Sequence, residues 1–178
     1  MEISIRLAVM DDVPILKELI PLSARELSKG YYTPEQTESA IKYIFGVDTQ
    51  LIVDKTYYVA EAEGQIVGCG GWSKRKTMFG GDQMKQESDP MLDPKEDAGR
   101  IRAFFIHPDW ARKGIGRRII QACEDAAKVD GFTRMELVAT LPGEPLYAAM
   151  GYDVTERFDI PMSDDTGLPA AHMKKQLL

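Results

Sequence analysis

A single mixed α/β domain, built on a mostly antiparallel sheet with parallel neighbours at its centre and helices around it, is the fold the sequence predicts. Three observations predict it: strand pairs of hairpin type towards both ends of the chain, a strand-helix-strand unit between them, and no repeat, linker or break in composition anywhere in residues 1–178. A length of 178 residues and a hydrophobic fraction of 44% suit one sizeable core.

Ile3, Ile5, Leu7 and Val9 alternate with Glu2, Ser4, Arg6 and Ala8, the period-two pattern of a half-buried strand. Asp11 and Asp12 are placed to cap a helix with Ile15, Leu16, Leu19 and Ile20 on its inner face and Gly30 as its stop. Thr33-Pro34-Glu35-Gln36 is a capping box with Pro at the first helical position, so a second helix should turn Ile41, Ile44 and Phe45 inward before Gly46. Tyr57 to Ala62 and Ile66 to Trp72 read as a hairpin turning at Glu63-Gly64-Gln65. From Ser73 to about Gly99 a polar stretch rich in Gly, Pro and Asp has no periodicity, which reads equally as a functional lid or as disorder.

Ile101 to Ile106 is a β-branched and aromatic strand ended by His107-Pro108. In the helix that follows, Ile115, Ile119, Ile120 and Cys123 mark the buried face, Glu124 and Asp125 the wet side, and Gly131 the end. Met135 to Ala139 gives a strand, Pro142 to Met150 a short helix before Gly151, and Tyr152 to Ile160 and Ala170 to Leu177 the last two strands.

The net charge of −6 argues against a nucleic-acid partner, because phosphate binding needs clustered Lys and Arg, and the run Ser73-Lys74-Arg75-Lys76 is too short to reverse it. An acidic surface steers cationic acceptors, although solubility alone accounts for it. No apolar run approaches the ~18 residues that span a bilayer, and the N-terminus lacks the basic-then-apolar layout of a signal peptide, so no membrane association is expected. Two cysteines, Cys69 and Cys123, without ligand spacing fit a reducing cytoplasm. With only two histidines and no paired carboxylates at ligand spacing, no metal is expected.

The segment Trp110-Ala111-Arg112-Lys113-Gly114-Ile115-Gly116-Arg117-Arg118 joins a strand to an amphipathic helix, where free backbone N–H groups and the helix dipole favour an anion. Gly114 and Gly116 carry no Cβ to keep a phosphate away, and Arg112, Lys113, Arg117 and Arg118 add positive charge. A triphosphate loop would need Gly-Lys-Ser/Thr, and a dinucleotide loop a third glycine where Ile119 stands. Two glycines that merely shape a tight turn are the structural alternative.

These residues resemble the GNAT superfamily, the Gcn5-related N-acetyltransferases. Ala111-Arg112-Lys113-Gly114-Ile115-Gly116 matches both glycines of the family's Gln/Arg-x-x-Gly-x-Gly/Ala loop, with Ala111 departing at the first position. Leu146-Tyr147-Ala148-Ala149-Met150-Gly151-Tyr152 is similar to the family's second segment, Leu/Phe-Tyr-x-x-x-Gly-Phe/Tyr, and the order of elements matches over essentially the whole chain. The resemblance implies an acetyl-CoA-dependent N-acyltransferase acting on a primary amine of a small molecule or peptide. It implies that Arg112, Lys113, Gly114, Ile115, Gly116 and Arg117 hold the pyrophosphate. Phe104, Phe105 and Ile106, on a central strand splayed from its parallel neighbour, would bond the pantetheine arm through their main chain. Tyr147 would protonate the departing thiolate, and a backbone N–H near Ile106 would hold the oxyanion. Tyr147 packing a helix on the sheet, and 104–106 as a plain core strand, are the structural readings of the same residues.

No residue stands out as the base. Glu26, Asp97 and Glu144 are candidates beside an ordered water, while His107 before Pro108 suits a structural turn and His172 is ambiguous. Tyr31, Tyr32, Trp72 and the loop from Lys74 to Asp97 are candidates for the acceptor side, with core packing the competing role of Trp72. The absence of a base leaves a second reading, a non-catalytic acyl-CoA-binding or regulatory module. Homodimers are common in that family and C2 pairing is the usual homo-oligomer, so a homodimer is expected.

Overall fold

Alternation at the N-terminus forms the first strand, β1 (Ile3–Leu7), which pairs antiparallel with β2 (Tyr57–Ala62). The structure is a computed structural model and describes residues 2–85 and 89–177. The period-two pattern outruns the strand: Leu7 and Val9 are exposed, and Ala8 is the buried residue there. Arg6 forks onto the Asp12 carboxylate, which also accepts from the Val9 amide, and this turns the chain out of the sheet. Asp12 is thereby used up, and helix α1 (Val13–Leu27) begins without a side-chain cap. Its buried stripe is Leu16, Leu19, Ile20, Ser23 and Ala24, whereas Ile15, expected inward, is 49% exposed, because the stripe is centred one residue further round.

The capping box forms as expected at helix α2 (Pro34–Tyr43): Thr33 Oγ1 accepts from the Gln36 amide at 3.1 Å and Gln36 Oε1 from the Thr33 amide at 2.9 Å. Thr33→Ala should therefore cost about 1 kcal/mol, read as a lower urea midpoint at unchanged slope. A short helix, α3 (Thr49–Val53), was not anticipated; Asp48 caps it through Gln50 N. Strands β2 and β3 (Gln65–Ser73) form the expected hairpin, with Glu63 and Gly64 both at positive φ (52° and 76°), the pair of left-handed residues that a type I′ turn requires.

Strand β4 (Gly99–Ile106), helix α4 (Ile115–Val129) and β5 (Arg134–Thr140) make the central unit, followed by helix α5 (Glu144–Ala149) and the hairpin of β6 (Asp153–Pro161) and β7 (Gly167–Gln176). The seven strands run in the order β1-β2-β3-β4-β5-β7-β6, antiparallel except for the β4–β5 pair. Helix α4 seals one face, setting Ile115, Ile119, Ile120, Cys123 and Ala127 against Val67, Met135 and Leu137. Helices α1 and α3 cover the other, with Leu16, Leu19, Ile20 and Leu51 on Tyr57, Val59 and Cys69. Each such fully buried aliphatic side chain contributes roughly 1.5–3 kcal/mol.

Glu124 corrects an expectation. It belongs to the buried side of α4 at 3% exposure, where Lys175 Nζ and Tyr152 Oη donate to its carboxylate at 2.9 and 2.8 Å. Helical periodicity cannot foresee this, because the partners come from β7 and the turn before β6. Asp125 is exposed as expected.

The stretch from 73 to 99, apart from 86–88 which lie outside the described residues, is tied down rather than loose. Arg75 bridges to Met91, Lys76 N donates to Pro90 O and Leu92 N to Lys74 O. The guanidinium of Arg75 grips Asp54, and buried Arg102 donates to Asp48 Oδ2 at 3.0 Å and to the carbonyl of Gly80. Lys85 Nζ holds the other Asp48 oxygen at 2.6 Å. An uncompensated Asp48 or Arg102 at this depth would cost several kcal/mol, so each fixes the other and with it the loop at 77–85.

Candidate active site

The central strands part almost as soon as they meet. β4 and β5 pair only through Gly99 with Met135 and Arg100 with Glu136, so the rest of β4 and of β5 lacks a mutual ladder. A bulge sharpens the divergence. Opposite β3 the register slips between Cys69 and Gly71, and Ala103 takes a left-handed conformation at φ 55°. Phe104 is thereby folded over Gly70, where a Cβ would meet its ring at 2.6 Å, so that only glycine fits.

Between the parted strands lies a cleft of about 220 Å³ walled by β4 from Ile101 to Ile106, β5 from Val138 to Thr140, the C-terminal half of α1, the chain at 44–46 and 78–80, and α5. Phe104, Phe105, Ile106 and Tyr147 are all in its wall. Ser23, which sequence reasoning missed, projects from α1, and its Oγ accepts from the Ile106 amide at 3.1 Å. Its signal was a hydroxyl at a core position of the α1 stripe, seven residues after Leu16 and four after Leu19.

The ring of Tyr147 is 8% exposed and stands edge-on to Phe104 and Tyr152, with centroids 6.1 and 6.2 Å away. Burial pushes its phenol well above the ordinary tyrosine range. Gly143 comes so close that a Cβ there would sit 3.2 Å from the Tyr147 ring, which fixes the ring against the start of α5.

Beside the cleft, α4 begins at Gly114, a left-handed N-cap at φ 83° that offers no side chain to the leading amides. The first main-chain bond closing onto it is Arg118 N to Gly114 O, which leaves the amides of Ile115, Gly116 and Arg117 pointing forward without a helical acceptor. Arg112, itself left-handed at φ 62°, precedes this turn, and Arg112, Lys113 and Arg117 are exposed. Among the described residues none of the three forms an ion pair. Arg118 is the exception in the cluster: it donates to the carbonyl of Ile3 and so ties α4 to β1.

The two glycines differ in what they do. A Cβ on Gly114 would meet nothing within 4 Å, so its role is the left-handed turn and an open approach, whereas a Cβ on Gly116 would strike Leu146 Cδ2 at 2.6 Å, so its role is to let α5 close on α4.

The candidate bases are not brought to the cleft. Glu26 pairs with Lys29 at the surface, Asp97 accepts from Asp93 N within its loop, and Glu144 is forked by Arg157, which holds its carboxyl below the ordinary glutamate range. His107 Nδ1 accepts from Asp109 N in the turn after β4, and His172 faces Glu136 at 3.3 Å. On the expected acceptor side, Tyr32 is a buried strut between Pro169 O and Leu141 N, Tyr31 is half-exposed, and Trp72 is core. Burial pushes the Cys69 thiol up to about 12 and the Cys123 thiol well above its usual value, so neither is a thiolate at neutral pH. Among the described residues no three His, Cys, Asp or Glu side chains group as metal ligands, and no helix is long and apolar enough to cross a membrane.

The model of the acetyltransferase (GNAT) family matches residues 18–152, which takes in the parted strands, the α4 turn and Tyr147. The chain belongs to that family. No curated protein matches it significantly in sequence. Among solved structures it is similar over 99% of its length to a GCN5-related N-acetyltransferase from Rhodopseudomonas palustris, of which it covers 97%, at 18% identity and a TM-score of 0.74. The PaiA N-acetyltransferase from Thermoplasma acidophilum, solved in complex with coenzyme A, is 15% identical over 99% of both chains with a TM-score of 0.66. YncA from Salmonella typhimurium, solved with its cofactor acetyl-CoA, is 17% identical over the whole of this chain and 95% of its own, with a TM-score of 0.64. At these identities the likeness speaks for the GNAT fold, which the seven-stranded sheet with its one parallel pair reproduces.

Proposed function

We propose that this GNAT acetyltransferase takes acetyl-CoA as donor and acetylates a primary amine by direct attack. The observation that carries the reading is the parting of β4 from β5 beside an uncapped, basic helix N-terminus, with Tyr147 in the wall of the gap. The diphosphate rests on the leading amides of α4, with Arg112, Lys113 and Arg117 as counter-charges. The pantetheine arm lies along Phe104, Phe105 and Ile106 as an added strand, using main-chain groups that β5 has left free. Neighbours solved with coenzyme A or acetyl-CoA support the choice of donor.

In the reaction the lone pair of the neutral amine attacks the thioester carbonyl, forming the C–N bond. The C–S bond then breaks, the thiolate takes the Tyr147 proton, the ammonium proton leaves through water, and the phenolate recovers a proton from that water, since among the described residues no carboxylate or imidazole stands in the cleft wall. The Ile106 amide is the oxyanion donor, for which the carbonyl competes with Ser23 Oγ. The inert cysteines leave no thiolate to carry a covalent acetyl group. The test is calorimetric titration with acetyl-CoA, followed by thiol release on a panel of amines, amino acids and peptides. Heat of binding with amine-dependent thiol release is the expected result. Absence of binding would overturn the reading, and binding without turnover on a broad panel would leave a non-catalytic acyl-CoA-binding module.

A further inference from the structure

The wall of the cleft is unusual in its charge. Among the described residues lining it, Arg102 is the one ionisable group besides the phenol of Tyr147, and it is not free. Its guanidinium is 2% exposed and engaged by Asp48 Oδ2 and the carbonyl of Gly80, and with Lys85 shared between Asp48 and Asp89 the two cations and two carboxylates of this cluster balance. The remaining polar side chains are the hydroxyls of Ser23, Ser28 and Thr140. The end formed by the chain after α2 and the 78–80 segment is apolar, with Ile44, Phe45, Met78, Phe79, Val138 and Ile160 along it. Among the described residues no carboxylate of the chain's acidic surplus lines the cleft.

Three consequences follow for whatever enters. A second ammonium, as in a diamine or polyamine, would be buried without a carboxylate opposite it. A carboxylate, as in a free amino acid, would find no guanidinium or ammonium to clamp it, because Arg102 already holds Asp48. The amine that reacts is itself better off neutral in such a wall, which is the form that attacks. From this we infer that the acceptor is a monoamine on an uncharged apolar body, an alkyl or aralkyl amine, with its hydrocarbon part against Phe45, Phe79 and Ile160. This inference rests on the acetyltransferase reading and narrows it to one chemical class.

Two matched pairs test it with acetyl-CoA as donor: hexylamine against 1,6-diaminohexane, and 2-phenylethylamine against phenylalanine. The members of each pair differ by a single charged group. The monoamine of each pair should show a kcat/KM at least ~30-fold above its charged partner, the scale expected when one charge is buried without a counter-ion. Phe79→Glu supplies the missing counter-charge and should raise kcat/KM for 1,6-diaminohexane while lowering it for hexylamine, a gain that loss of folding cannot imitate. Equal or better use of the charged partners by the parent protein would overturn the inference. So would turnover of none of the four amines by protein that binds acetyl-CoA in the calorimeter, a result that leaves the donor site standing. Failure to bind acetyl-CoA is the separate outcome that removes the functional reading itself.

Discussion

Gly114→Glu should lower the affinity for coenzyme A by more than ~100-fold in calorimetry while the protein stays folded. A carboxylate at this N-cap would project into the space where a Cβ meets nothing within 4 Å, directly in front of the free amides of α4. Two like charges about 5 Å apart repel by roughly 3 kcal/mol at an effective dielectric near 20, which by itself exceeds a hundredfold loss, and a diphosphate brings more than one charge. The glutamate would also cap the amides itself and neutralise the dipole the ligand needs. Strain must be separated from charge, since any side chain at φ 83° costs about 1–2 kcal/mol. Gly114→Ala carries the same strain without the carboxylate, and it should be slightly less stable yet bind coenzyme A within ~10-fold of the parent. A folded glutamate variant that binds as the parent does would remove the α4 turn from the coenzyme site.

How far such a site can be read from the sequence depends on how local its physics is. The Thr33 capping box, the Glu63-Gly64 turn and the glycine that opens α4 each involve a few consecutive residues, and each forms as the spacing predicts. What the sequence misplaced or missed is held by partners far along the chain. Glu124 is drawn inward by Lys175, 51 residues away, and Arg102 by Asp48, 54 residues away. The left-handed Ala103 exists because β3 and β4 slip in register, which nothing in the string around Ala103 announces. The two glycines of the loop look equivalent as a motif and are not, because only the folded structure brings Leu146 against Gly116. The cleft's lack of charge is of the same kind: it depends on which residues of α1, the chain at 44–46, β4 and β5 converge, and the net charge of −6 gives no hint of it.

Tyr147→Phe should reduce kcat by about 10²–10⁴-fold, the range a positioned general acid contributes, and leave the affinity for coenzyme A close to that of the parent. The substitution keeps the ring, so the edge-on contacts with Phe104 and Tyr152 and the packing near Gly143 survive. Among the described groups the phenol has no hydrogen-bond partner that would be orphaned, and stability should hold. The raised pKa of the phenol bears on the acid role in two ways. A group whose pKa lies above its ordinary value keeps its proton to higher pH, so Tyr147 stays a donor throughout the working range, and kcat should show no alkaline fall from it below pH ~10. The same burial makes it a weaker acid than a free phenol, which would be a poor match for an ordinary thiol at ~8.5. The departing thiolate, however, is expelled into the same apolar cleft, and desolvation raises its affinity for the proton as well. The two pKa values therefore move upward together, and transfer stays feasible inside the cleft although it would be uphill in water. A phenylalanine variant with unchanged kcat would leave Tyr147 as a packing residue, with water as the source of the thiol proton.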